Sequence, residues 1–516
     1  MRMRGIGHRT RIPGGLTRLS RAALAALALW ILVAGPAAAQ TWLRAESEHF
    51  IAYSDGGERA LRDYVTDLER FDQILRLRFG IPLDRPTLRK LPIYLVARHD
   101  GLEAVAPGVG RGVAGFYTTN EEDIFAVAIR ADGDQTILHE YAHHFFYQHL
   151  NAPYPGWLTE GLAEYVMTAR IRDAEFILGE PNPGRVSWLN YGAWIPLETL
   201  LTKRFGQVEG AEYRATYYPV AWLLTHWFFA TPERSQQLDV YLRLVASGVG
   251  PSEAISQATG LTMPQLTQTL TAYGRGNVYA STYPIAYRPI EITVERLPAS
   301  ARDLILIGQR IKRPLDEDQR AEALAEVRRR AARWPEDPFA LLVLGHAELH
   351  MGDAAAGEAT LLKVLELAPE TDEALQYLAT GRIRQAGETE DPDQRRTLLA
   401  QARGFLARAY RIDPDDYFTL LLIARTREGQ PGYPNDNDML TWEAAFDGAP
   451  QLPAVRLGYG GALIATGRVP EALAVLTPLA NAPHGGATAD AARTLIAEAL
   501  GEAPPPTEAE PASPAD

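Results

Sequence analysis

The sequence predicts an α+β domain followed by an all-α repeat domain. The first half begins with strand-like segments and an amphipathic helix, which is typical of a mixed fold. A strongly apolar helix with two histidines four residues apart comes next. In the second half, prolines that close apolar helices recur at intervals of 34, 45, 36 and 33 residues. That recurrence indicates stacked helical repeats.

The composition is that of an acidic globular protein. The 516 residues are 46% hydrophobic and 22% charged, and the formal net charge is −13. An acidic chain argues against binding to nucleic acid or to anionic lipid. Because the sequence contains no cysteine, disulfides, a thiol nucleophile and thiolate-bound zinc are excluded. Any metal ion must therefore be held by histidines and carboxylates.

Residues 1–39 have the pattern of a signal peptide. Residues 1–40 contain six arginines and no acidic residue, and an apolar run extends from Ala22 to Ala34. This run is shorter than the roughly 20 residues of a transmembrane helix, and three alanines ending at Ala39 form an A-x-A type cleavage site. We expect cleavage after Ala39, export to the periplasm or the medium, and no stable membrane span afterwards. An uncleaved membrane anchor is the alternative.

Residues 41–285 are predicted to form the first domain. Strand patterns occupy residues 48–54 and 91–97, and a helical pattern lies between them at Glu58–Phe79. A predicted hairpin over residues 115–130 ends just before the histidine helix. An extended peptide can add itself to such a sheet edge as one more strand. Later helices would complete a helical lobe. We expect a cleft between this helical lobe and the lobe that contains the strands.

The most specific motif is H-E-x-x-H, formed by His139, Glu140 and His143. Apolar residues surround the motif, so it predicts a buried helix from about residue 134 to residue 149. Residues four apart share a helix face, and the two imidazoles can bind one Zn²⁺. Glu140 is placed to take a proton from a water molecule. Burying two imidazoles without a partner is costly, which favours a metal site over incidental histidines.

A second helix, predicted from Gly156 to about Arg170, carries two carboxylates on one face, Glu160 and Glu164. A catalytic zinc ion typically has three protein ligands and a water, so Glu160 is the candidate third ligand. Glu164 is a candidate acceptor for the free N–H of a ligating histidine. The alternative is two exposed carboxylates on a soluble helix. Gly161 would allow another helix to approach closely.

HEYAH followed by WLTEGLAEY resembles the gluzincin class of zinc metallopeptidases and is similar to the peptidase MA-like families, whose second motif is W-L-x-E-G-x-A-E-Y. The resemblance covers roughly residues 41–285. It implies an α+β zincin (thermolysin-like gluzincin) domain with one Zn²⁺ per chain. By the matched positions it implies that His139, His143 and Glu160 are the zinc ligands. It also implies that Glu140 is the general base and Glu164 a supporting carboxylate.

Gluzincins often use a tyrosine or histidine of a later helix to stabilise the oxyanion, and comparison with the family points to Tyr217, with Tyr218 second. The alternative is an aromatic packing helix, predicted from about Pro219 to Phe229. The chain lacks a G-x-M-E-N motif, which favours internal cleavage over aminopeptidase action. The implied function is an exported zinc-dependent metallopeptidase. The alternative is a catalytically silent, zinc-binding interaction protein of the cell envelope.

Residues 286–300 are predicted to be an extended link, and residues 301–500 resemble tetratricopeptide repeats, which pair two antiparallel helices per unit. We therefore expect an all-α tetratricopeptide-like solenoid. Gly357 and Ala472 are small residues in the second helix of their units. Stacked repeats usually bind a peptide or protein; the alternative is that they only support the first domain. Residues 501–516, rich in Pro, Ala and Glu, are predicted to be disordered.

Overall fold

The computed structural model describes residues 41–130, 134–150, 154–276, 278–482 and 486–503. The predicted signal peptide and nearly all of the predicted disordered tail lie outside these residues. Within them, no helix combines the length and the apolar character needed to cross a membrane. The described residues from Trp42 onward belong to one compact unit, so contacts between the two halves can be followed directly.

The first domain is built on a sheet with the strand order β4-β5-β3-β2-β1-β9. The β2–β3 and β3–β5 pairs are parallel, and the other pairs are antiparallel. β3 and β5 are buried along almost their whole length because helices cover both faces of the sheet. A smaller sheet has the order β6-β7-β8. The strands are β1 Leu43–Glu46, β2 Phe50–Ser54, β3 Leu91–Val96, β4 Gly115–Thr119, β5 Ile124–Ile129, β6 Arg170–Ile171, β7 Glu175–Leu178, β8 Ser281–Pro284 and β9 Thr293–Arg296.

Helices of the first domain cover the sheet and extend beyond it into a helical lobe. They are α1 Glu58–Phe79, α2 His99–Val105, α3 Asp134–His149, α4 Gly156–Val166, α5 Pro183–Tyr191, α6 Leu197–Thr202, α7 Ala211–Phe229, α8 Pro232–Ala246, α9 Pro251–Thr259 and α10 Met263–Arg275. The bounds of α1 agree with the predicted range, and those of α3 lie within a residue of it. An α+β arrangement is therefore present in the first half of the chain.

Two helices of this lobe differ from the sequence pattern. α7 begins at Ala211, well before Pro219, which lies inside the helix and is buried. A proline usually starts a helix, so the sequence pattern placed the start too late. α5 was not predicted because none of its residues is buried, and it therefore has no apolar periodicity. Its start is instead set by Asn182, whose side chain accepts hydrogen bonds from the backbone N–H of Gly184 and Arg185.

A buried polar network ties α3 to the rest of the domain. The Tyr141 hydroxyl donates to Asp72 Oδ1 at 2.7 Å, and Arg76 Nε donates to Asp72 Oδ2 at 2.6 Å. Arg76 also contacts His49 Nε2 at 2.9 Å, and His49 Nδ1 lies 2.6 Å from Glu69. Every member has a partner, which is the condition under which a buried polar network gives a rigid, unique arrangement. The network therefore fixes how α3 lies against α1.

The segment between the two halves takes part in the fold. Within residues 286–300, which were predicted to be a link, β9 pairs with β1 in antiparallel register. Leu297 N–H continues the pairing by donating to the Trp42 carbonyl at 2.9 Å. The chain thus completes the sheet before it enters the repeats.

The C-terminal half is an all-helical, tetratricopeptide-like repeat region in which consecutive helices pack on one another. A Cβ on Gly357 would lie 2.5 Å from the Leu349 backbone nitrogen, so the helices that carry these two residues lie almost in backbone contact. The helices are α11 Ala301–Arg310, α12 Glu317–Ala331, α13 Pro338–Met351, α14 Ala354–Leu367, α15 Asp372–Glu388, α16 Pro392–Ile412, α17 Tyr417–Arg427, α18 Asp436–Gly448, α19 Pro453–Ala465, α20 Val469–Ala480 and α21 Ala487–Leu500.

The repeat region packs directly on the first domain. The Arg425 guanidinium donates two hydrogen bonds of 2.6 Å to the Glu121 carboxylate in the β4–β5 turn. Farther along, Gln451 Nε2 lies 3.4 Å from Nδ1 of His144 on α3. Contacts at both ends of the β4-to-α3 segment mean that the repeats hold the elements that flank the histidine motif.

Candidate metal centre

α3 and α4 bring the candidate ligands together. Apolar residues on several sides of α3, including Tyr141, Ala142 and Phe145, are buried in the core. His139 and His143 are only partly buried and project from α3 towards α4. On α4, Glu160 and Glu164 are only 2% and 1% exposed. The alternative of two solvent-exposed helix carboxylates is therefore wrong.

Three ligand atoms converge between these helices. His139 Nε2 and His143 Nε2 lie 3.1 Å apart. Oε2 of Glu160 lies 3.4 Å from each of them. The three atoms thus form a nearly equilateral triangle.

The size of this triangle can be compared with a zinc site. For metal–ligand bonds of 2.0–2.1 Å, the ligand atoms at the corners of a tetrahedron lie about 3.4 Å apart. The observed separations of 3.1, 3.4 and 3.4 Å are close to that value. Two imidazoles and one carboxylate are also the ligand set of many catalytic zinc sites. The residues present therefore fit a zinc ion.

The charges in the triangle favour the ligand state of Glu160. Burial alone would raise the pKa of Glu160, but the adjacent His143 and His139 hold it well below its usual range. Burial alone would lower the pKa of His143, but Glu160, with smaller contributions from Glu140 and Glu164, raises it above its usual value. Glu160 and His143 thus each favour the charged form of the other.

Two further carboxylates, Glu140 and Glu164, lie near this triangle. Glu140 is partly exposed, and its charge acts on His143 and on Tyr117 of β4. Oε1 of the buried Glu164 lies 3.6 Å from His139 Nδ1, on the side of the imidazole away from the triangle. This separation is longer than a hydrogen bond, but the carboxylate faces the ring nitrogen that a ligating histidine leaves free.

Arg185 was not singled out from the sequence, yet it lies at the edge of the site. Its guanidinium forms an ion pair with Glu164 at 3.1 Å and stacks over the Tyr218 ring at 4.8 Å. It is carried by α5, the helix without apolar periodicity. The Asn-Pro pair that caps α5 is the one local signal that could have placed this arginine at a helix start.

The two candidate tyrosines have different surroundings. Tyr217 is fully buried, and its hydroxyl donates to the Lys203 carbonyl at 3.4 Å. The Tyr218 ring lies edge-on to the His139 ring, with 6.4 Å between centroids. Burial, with the charge of Glu160, raises the pKa of Tyr218 well above its usual value, so its hydroxyl stays protonated. The geometry therefore favours the second choice of the sequence analysis, Tyr218.

His144 directly follows the second ligand but faces another part of the molecule. Its Nδ1 lies 3.1 Å from the Tyr117 hydroxyl, and burial lowers its pKa to about 3. His144 is thus a neutral core histidine that joins α3 to β4 and to the repeats.

Comparisons with known proteins add a structural likeness to a solved protein. Neither a scan against protein-family models nor a search of curated proteins finds a match. Among solved structures, the chain is similar to the crystal structure of a thermophilic TPR protein from Thermus thermophilus, with 22% sequence identity and a TM-score of 0.32. The match covers 39% of this chain and 99% of that one.

Proposed function

We propose that this protein is a zinc-dependent metallopeptidase that hydrolyses peptide bonds. The observation that carries the proposal is the triangle formed by His139, His143 and Glu160, with Glu140 beside it. Zinc bound there would supply a Lewis acid that polarises a carbonyl group and lowers the pKa of water.

Four side chains around the proposed zinc site have distinct roles in this proposal. Glu140, partly exposed beside His143, accepts a proton from the attacking water and returns it to the leaving amine. The Tyr218 hydroxyl donates a hydrogen bond to the developing oxyanion. Glu164 holds the His139 ring in its orientation from the buried side. Arg185 in turn holds Glu164.

The edge strand β4 supports an extended peptide as the substrate. β4 is paired with β5 on one side and ends the strand order on the other. α3 packs against β4, so the open edge lies near the helix that carries the histidines. A peptide that adds to this edge receives backbone hydrogen bonds along its length. This mode of binding suits cleavage inside a chain.

Location and partners follow from the sequence pattern. We propose export to the periplasm or the medium, based on the leader-like residues 1–39. We also propose that the tetratricopeptide-like surface binds a protein or peptide partner, as stacked repeats commonly do.

The test is substrate profiling of the full chain beside Glu140→Gln. The peptide products of a mixed library are measured by mass spectrometry, and bound zinc is measured by elemental analysis. We expect Glu140→Gln to keep the parent's zinc and to cleave at least about 100-fold more slowly. Glu103→Gln, which changes an exposed carboxylate on α2, is the matched control and should cleave like the parent.

Three results would contradict the proposal. Equal cleavage by the parent and Glu140→Gln would disprove the mechanism. Zinc binding by the parent without any cleavage would favour a silent binding protein. Failure of the parent to bind zinc in the absence of chelator would favour a scaffold protein that holds no metal ion.

A further inference from the structure

A second histidine pair lies in the repeat region. His346 and His350 are four residues apart on α13 and face Glu122, which lies in the β4–β5 turn of the first domain. His346 Nε2 is 2.7 Å from Oε2 of Glu122, and His350 Nε2 is 3.5 Å from Oε1. All three ligand atoms lie within 4.8 Å of one another. We call these three residues the hairpin–repeat cluster.

The hairpin–repeat cluster is enclosed. His346 is 3% exposed, and its ring stacks on Tyr377 with 4.1 Å between centroids and an interplanar angle of 22°. The Nε2 atom of His350 is shielded from solvent and makes no hydrogen bond within the described residues. A buried nitrogen without a partner costs free energy. The His346 imidazole is thus hydrogen-bonded to the Glu122 carboxylate, whereas the His350 imidazole faces the same carboxylate without a hydrogen bond.

Nearby cations are already paired elsewhere. Lys312 Nζ contacts Asp123 at 3.1 Å and Glu373 at 2.8 Å. Arg384, on the next helix pair, donates to the Leu349 carbonyl at 2.7 Å. Neither side chain is directed at the Glu122 carboxylate by a described hydrogen bond. Lys312 acts on the Glu122 charge only from a distance, so among the described residues the two imidazoles are the groups that this carboxylate faces directly.

We infer that Glu122, His346 and His350 bind a divalent transition-metal ion of the cobalt, nickel, copper or zinc group. Two imidazole nitrogens and one carboxylate suit these metals better than Mg²⁺ or Ca²⁺, which prefer oxygen ligands. The ion gives the unbonded His350 nitrogen a partner. It also joins the turn of the β4–β5 hairpin to the repeat region. This site is independent of the peptidase proposal.

The test is Co²⁺ titration of the full chain, prepared without a histidine tag and stripped with a chelator. Visible absorption and equilibrium dialysis give the stoichiometry. We expect two equivalents for the parent and one for the His139→Gln/His143→Gln variant, which leaves the hairpin–repeat cluster intact. We also expect one equivalent for His346→Gln/His350→Gln, with the absorption band of the second site lost.

A milder variant covers the case in which the histidine variants do not fold. Glu122→Gln retains a side chain that can hydrogen-bond to His346 but removes the anionic ligand. It should weaken Co²⁺ binding at this site by more than about tenfold while the other equivalent is unchanged. The matched control is His99→Gln/Glu103→Gln, which removes a pair at 3.7 Å on the surface and should keep both equivalents.

The inference is overturned if the His139→Gln/His143→Gln variant binds no Co²⁺, because its hairpin–repeat cluster is unaltered. It is also overturned if Glu122→Gln binds both equivalents as tightly as the parent. Either result would leave the cluster as a hydrogen-bonded contact between the two halves.

Discussion

The molecule contains two histidine pairs with the same spacing and different surroundings. On α3, His139 and His143 converge with Glu160, and Glu140 directly follows the first histidine. On α13, the residue after His346 is Ala347. Both pairs face a carboxylate from another element, but only the pair on α3 has a glutamate directly after its first histidine, the residue proposed as the general base. Helical spacing can thus provide metal ligands, whereas catalysis depends on the neighbours.

The largest difference in kcat is expected between variants of the tyrosines that lie beside the two histidine pairs. Tyr218 lies edge-on to His139, whereas the Tyr377 hydroxyl donates to Glu373 at 3.3 Å. Tyr218→Phe should lower kcat about 100- to 1,000-fold through loss of the oxyanion donor. Tyr377→Phe and Tyr217→Phe should each stay within a few fold of the parent. A larger loss in Tyr217→Phe than in Tyr218→Phe, measured by initial rates, would reverse the assignment.

The next effect concerns Glu164, the carboxylate behind the proposed zinc ligand His139. Glu164→Gln removes the charge 3.6 Å from His139 Nδ1 and should weaken zinc binding at that site about 10- to 100-fold. Competition with a chromophoric chelator measures the affinity. Glu348→Gln is the control on α13, because Glu348 pairs with Arg328 at 2.6 Å. If both variants bind zinc as the parent does, Glu164 does not support the ligand.

The smallest effect is on helix packing. A Cβ at position 161 would lie 2.6 Å from the Ala221 carbonyl oxygen on α7. Gly161→Ala should lower the free energy of unfolding by about 1–3 kcal/mol, because α4 and α7 must separate. Gly404→Ala, on a helix with open space at that position, should be neutral or stabilising. Urea unfolding compares them, and equal midpoints for the two variants would show that α4 can shift freely.

Helices and ligands that carry a clear pattern in the local sequence were predicted from that pattern. Apolar periodicity predicted α1, and apolar residues on all sides of the histidine motif predicted α3. Helical spacing singled out His139, His143 and Glu160, and these three residues lie together in the structure. The choice between adjacent tyrosines needed the direction in which each ring leaves α7, which spacing does not give.

Other features were not marked by apolar periodicity. α5 and its Arg185 lack a buried face, so no periodicity marked them. In the hairpin–repeat cluster, Glu122 and His346 are 224 residues apart in the chain. Only the folded arrangement of hairpin and repeats brings them into contact.

The β4–β5 turn carries three consecutive acidic residues, and each has a partner from the repeat region: Arg425 for Glu121, His346 for Glu122 and Lys312 for Asp123. These partners come from three different helices or helix ends spread over more than one repeat. The repeat array is consequently not an interchangeable module. A chimera that transplants a foreign array onto the first domain would remove the partners of Glu121 and Glu122 at the tip of its edge hairpin, and would leave Asp123 with Arg89 alone. We therefore expect the two halves of this chain to keep these ion pairs only when they are exchanged together.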